Sequence, residues 1–89
     1  MNREQKATLK ALHGRLQAIR TEAESIKDEL QTLFEGLEDA FNAHSETWQE
    51  GPSGEKAQGE LDQVGDILNE AETAAEALES ACNAAEELA

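Results

Sequence analysis

The sequence predicts an all-α chain: an antiparallel helical hairpin of the coiled-coil kind, completed as a four-helix bundle by dimerisation. Three observations predict it. An unbroken apolar stripe fills the first half: Leu9, Leu12, Leu16, Ile19, Ala23, Ile26, Leu30, Leu33, Leu37 and Ala40, at spacings that alternate three and four. A second stripe, Leu61, Val64, Leu68, Ala71, Ala75, Leu78, Cys82 and Ala85, runs near the other end. Between them stands the turn-forming run Gly51-Pro52-Ser53-Gly54. In heptad terms Leu9, Leu16, Ala23, Leu30 and Leu37 take position a, and Leu12, Ile19, Ile26, Leu33 and Ala40 take position d.

The first helix is expected over about residues 2–48. Asn2 is a good N-cap, and Gln5 follows three residues later where a capping-box partner belongs. Such a helix is a rod of about 65 to 70 Å. Gly36 is its interior weak point, at a cost of about 1 kcal/mol relative to Ala. Beyond Leu37 the stripe changes character: His44 falls at a and Thr47 at d, while Phe34, Phe41 and Trp48 recur every seven residues at e. A period of 3.6 residues drifts against a repeat of 3.5, so the aromatic end is either buried on a rotated face or partly exposed.

The turn is expected at 49–54, with Gly51-Pro52 stopping the first helix and Ser53 capping the second, over about 55–88. Gly54, Gly59 and Gly65 weaken its first turns. A short connection makes the helices antiparallel neighbours. Pairing centred near residue 50 or 51 sets Leu37 against Val64, Leu33 against Leu68, Leu30 against Ala71, Ile26 against Ala75 and Ile19 against Cys82. In the flanking column Lys27 then faces Glu72, Arg20 faces Glu79, His13 faces Glu86, and Phe34 comes opposite Gly65, which leaves room for a ring.

That register leaves Met1 to Ala11 as a basic overhang. It also leaves a third apolar column on the second helix, Ile67, Ala74, Ala81 and Leu88, wider than a two-helix seam uses. Self-association covers both, so Leu9, Ile67, Ala74, Ala81 and Leu88 are the candidate oligomer interface and a second copy of the chain is the first expected partner. The alanines from Ala71 to Ala85 offer either a close helix contact or simply good helix formers.

Charge narrows the partners. The 89 residues carry a net charge of −13, unevenly placed. Residues 1–27 hold six basic and three acidic side chains, whereas 28–89 hold seventeen acids against Lys56 alone. Such a surface is repelled by nucleic acid and anionic membrane and attracted to basic protein. With no apolar leader at Met1-Asn2-Arg3-Glu4 and no long apolar run, the expected location is the cytoplasm. The one cysteine, Cys82, lies on the second stripe as a small hydrophobe.

The segment around the turn carries a resemblance: Phe41-Asn42, Glu46, Trp48-Gln49, Gly54-Glu55-Lys56, then Leu68, Ala71, Leu78-Glu79 and Ala81. It resembles a group of short hypothetical helical-hairpin proteins of phages, prophages and bacterial mobile elements. The chain departs from that group at Trp48, where an aliphatic residue is usual, and at Ser45, where proline is. The resemblance implies a small mobile-element accessory protein and carries over no activity.

Catalysis finds no constellation: no Ser, His and Asp arrangement that spacing would assemble, and no Gly-rich loop between strand and helix. No cofactor or metal is expected, because His13, His44 and Cys82 are scattered; His44 reads as a polar spacer at an a position. Two binding readings remain. Phe34, Phe41 and Trp48, with Glu46 and Glu50, form a candidate partner-binding end, since aromatic residues concentrate binding energy. Alternatively, acids spaced along a rod (Asp28, Glu35, Glu38, Asp39, Glu46, Glu50, Glu60, Asp62, Asp66, Glu70 and Glu76) imitate a phosphate backbone and occupy the basic cleft of a nucleic-acid-binding host protein. A solvated coiled-coil surface needs the same acids.

Overall fold

A computed structural model describes residues 1–88, which form three helices and no strand: α1 (Arg3–Asn42), α2 (Glu46–Glu50) and α3 (Pro52–Leu88). Helix α3 turns back along α1, and α2 packs on α3 at the corner. The result is a rod of 68 × 14 × 14 Å.

Helix α1 starts as its sequence dictates. The Asn2 side chain accepts the Gln5 amide N–H at 2.8 Å, and the Gln5 side chain accepts the Asn2 amide at 3.0 Å, closing a capping box. Its end differs from expectation. The helix stops at Asn42, six residues before Trp48, and Gly36 does not interrupt it.

The break at 43–45 has a physical cause in two polar side chains. Ser45 is extended and its hydroxyl accepts the Trp48 amide, which starts α2 afresh. The Gln49 side-chain amide reaches back and donates at 3.2 Å to the Phe41 carbonyl, which also accepts the His44 amide, and at 3.0 Å to the His44 carbonyl just beyond the helix. His44 therefore lies exposed outside any helix and is not a spacer in a packed layer.

The turn expected at 49–54 contracts to Gly51. Pro52 opens α3 as its first residue, where its missing N–H costs nothing, and the Glu55 amide bonds the Gly51 carbonyl at 3.0 Å. Ser53 is thus inside the helix and caps nothing. Gly54 is buried, and a Cβ there would overlap the Gln49 carbonyl and Cα, so only glycine lets the two helices meet this closely.

The antiparallel register agrees at two points. A Cβ on Gly65 would touch the Phe34 ring at 3.4 Å, and the Arg20 guanidinium lies 3.7 Å from Glu79 while also bonding Glu24 at 3.2 Å. Lys27 and Glu72, and His13 and Glu86, do not come within ion-pair distance. The His13 Nε2 is enclosed with no hydrogen-bond partner.

Which face of α1 enters the seam is the main correction. Apart from Glu24 and Gln31 at the polar edge, the half-buried residues of α1 are Leu9, His13, Leu16, Arg20, Ala23, Lys27, Leu30, Phe34, Leu37 and Phe41, again at alternating spacings of four and three. These are columns a and e. Column d, expected to close against Leu68, Ala75 and Cys82, is turned outward: Leu12, Ile19, Ile26 and Leu33 are 44% to 54% exposed. On α3, Leu61, Leu68, Ala75 and Cys82 take position a and Val64, Ala71, Leu78 and Ala85 position d; both columns stay inward as expected, with Leu61, Leu68, Ala75, Cys82 and Ala85 buried. Rotation brings the two phenylalanines of column e inward, one of them onto Gly65. It also lets the aliphatic stems of Arg20 and Lys27 lie along the seam with their charges at its edge.

Candidate interaction surface

The rotation gives the rod two unlike faces. Arg20 at e and Glu79 at e of α3 meet on one side of the seam, with Glu24 beside them, which identifies that side as polar. On α1 the flank opposite is column d. On α3 the flank opposite column e is column g, holding Ile67, Ala74, Ala81 and Leu88. Both lie on the second face.

That second face is apolar along its length. Ile67 and Leu88 are 50% and 62% exposed, and Ala74 and Ala81 are exposed between them. The register that joins Phe34 to Gly65 sets Leu33 beside Ile67, Ile26 beside Ala74, Ile19 beside Ala81 and Leu12 beside Leu88. Each step is seven residues on both helices, so the columns stay in step. Scattered surface leucines are ordinary, whereas a contiguous apolar face marks an interaction site.

Of the residues that the sequence singled out for this role, Ile67, Ala74, Ala81 and Leu88 stand on this face. Leu9 does not; it is half-buried in column a, at the edge of the exposed segment 1–8. Sequence reasoning missed Leu12, Ile19, Ile26 and Leu33 as surface residues by assigning them to the seam. The only signal for the rotation was Phe34 and Phe41 in column e, since that column is otherwise His13, Arg20 and Lys27.

The aromatic end is only partly assembled. The His44 and Trp48 rings stack with centroids 3.6 Å apart, and Phe41 meets Trp48 edge-on at 6.1 Å. Trp48 is half-buried in α2, with Glu46 and Glu50 exposed on the same short helix. Phe34 belongs to the seam. Phe34, Phe41 and Leu61 floor a shallow groove of about 320 Å³ between α1 and α3, edged by Glu38 and Asp62 and opening on the polar face. The acids at 28–87 are exposed carboxylates, and among the described residues no three metal-ligating side chains converge. Among those residues no helix is long and apolar enough to cross a membrane.

Comparison with known proteins finds no matching family model, no matching curated protein and no matching solved structure.

Proposed function

We propose that this chain is a non-enzymatic protein-interaction module, a rigid helical hairpin that works by presenting surfaces to other polypeptides. One observation carries the reading. The most apolar column of α1 faces solvent in step with a second apolar column on α3, an arrangement that wastes burial unless another protein covers it. The acidic aromatic corner of Phe41, Trp48, Glu46 and Glu50 is a separate contact for a basic protein, with Phe34 beneath it. The resemblance of the turn region to phage and mobile-element hairpins favours a small accessory protein of such an element, acting in the cytoplasm.

Affinity capture by the full chain at low and high salt tests the reading. Glu46 and Glu50 are exposed, so changing both to Gln leaves melting unaltered. Loss of a captured protein in that variant supports the corner as a binding site. Equal capture by wild type, variant and an unrelated acidic helical protein refutes it. A captured set made of nucleic-acid-binding proteins, released steeply by salt, would instead favour the phosphate-mimicking reading.

A further inference from the structure

We propose that the apolar face takes a second copy of this chain, docked about a two-fold axis perpendicular to the rod, so that α1 lies antiparallel on the partner copy's α1 and α3 on its α3. The inference rests on the interaction reading above and specifies one occupant. Three independent features of the face select it.

The first is size matching. A two-fold axis between Ile19 and Ile26 sets Leu12 against the partner's Leu33, and Ile19 against the partner's Ile26. On α3 the same axis sets Ile67 against the partner's Leu88, and Ala74 against the partner's Ala81. The outer layers are then four large residues each, and the inner layers two Ile and two Ala, as close packing of a bundle needs. The apolar columns run from Leu12 to Leu33, about 32 Å along two helices. Coverage of about 600 Å² per copy reaches the lower range of stable interfaces.

Charge supplies the second. Column g of α1 borders this contact, and the axis brings Arg15 against the partner's Glu29, twice. One unfavourable pair, Glu22 against its own copy, falls near the axis. No like charges meet on α3, where Ala77 lies near the axis and Glu70 comes opposite the partner's Ala84.

The third is the polarity of the whole rod. The half remote from the turn, residues 1–25 and 75–88, carries five basic and seven acidic side chains. The turn half, 26–74, carries two basic and thirteen acidic ones. An end-to-end reversed pair puts each strongly acidic half over a nearly balanced one. The alternative bundle, with α1 on the partner's α3, stacks the two acidic halves and is disfavoured.

Sedimentation equilibrium of the full chain at micromolar concentration should give twice the 9.7 kDa chain mass. Arg15→Glu or Glu29→Arg alone should weaken the dimer about fivefold, and the double variant should recover wild-type affinity. These positions are fourteen residues apart on one helix, so rescue cannot arise within a chain. Glu22→Gln should tighten the dimer. In a Cys82→Ala background, Glu22→Cys should form a disulfide-linked dimer, while Thr8→Cys should do so only when mixed with Gly36→Cys. A folded monomer at high micromolar concentration, a dimer without rescue, or self-linking of Thr8→Cys would overturn the proposal. Corner-dependent capture by a monomer would leave the interaction reading standing, and a dimer that captures nothing would leave only the dimer.

Discussion

Replacing Gly54 by Ala should damage the corner more than its small change in volume suggests. In a helix interior this substitution ordinarily gains about 1 kcal/mol. Here the added Cβ would overlap the backbone of Gln49, which cannot yield as a flexible side chain would. To make room, 46–50 must move off α3. That motion pulls the Gln49 side chain from the Phe41 and His44 carbonyls and Trp48 from its edge contact with Phe41. Two hydrogen bonds at about 1 kcal/mol each and an aromatic pair at about 1 kcal/mol give about 3 kcal/mol. The gain in propensity offsets about 1, leaving about 2 kcal/mol. Urea unfolding followed by circular dichroism measures the total, and Trp48 fluorescence reports the corner. Protein concentration must be held fixed, because the proposed association would contribute to apparent stability. Gly36→Ala is the control, since its Cβ meets nothing within 4 Å, and it should stabilise by about 1 kcal/mol. If Gly54→Ala proves as stable as Gly36→Ala, with unchanged fluorescence, the close approach of Gly54 to Gln49 is not what shapes the corner.

Two further outcomes follow from the same geometry. Gln49→Ala should cost about 1 to 2 kcal/mol in urea unfolding, because the His44 carbonyl loses its side-chain donor and the Phe41 carbonyl keeps only the His44 amide, and it should change Trp48 emission. Asn2→Ala should cost about 1 kcal/mol through loss of the capping box, with increased amide exchange confined to the first turns of α1.

The hairpin, its register and the capping box at Asn2 were legible because each rests on local pattern: a heptad, a Gly-Pro turn, an Asn three residues before a Gln. The corner was legible only in part. Ser45 followed by Glu46 is a helix-start signal, but the heptad ran through it, and nothing local shows that Gln49, assigned to the turn, would cap the end of α1. The seam was misread for a different reason. Columns d with a and columns a with e share the same alternation of threes and fours, so periodicity cannot choose between them. Apolar content chose d, with Leu12, Ile19, Ile26 and Leu33, over e, with His13, Arg20 and Lys27. Within the hairpin, the two phenylalanines of column e and the space above Gly65 decide the other way.

The proposed assembly gives that choice an energetic reason. No residue of α1 is buried in the single hairpin, although it is a 40-residue helix. The buried apolar set is five residues, all on α3, and three of them are Ala or Cys. A core that small supplies little of the burial that an ordered chain of this length needs. The missing area is on the molecule, in columns d of α1 and g of α3, and it is larger in side-chain volume than the seam residues Ala23, Ala71 and Ala75. Covering that outer face would add to what the seam buries through Leu16, Leu30, Phe34, Leu37, Leu61 and Leu68. In the proposed dimer, folding and association are coupled. The unfolding midpoint should rise as protein concentration rises, and Ile19→Lys with Ile26→Lys should abolish that dependence. A concentration-independent midpoint in the wild type would mean that the narrow seam alone sustains α1.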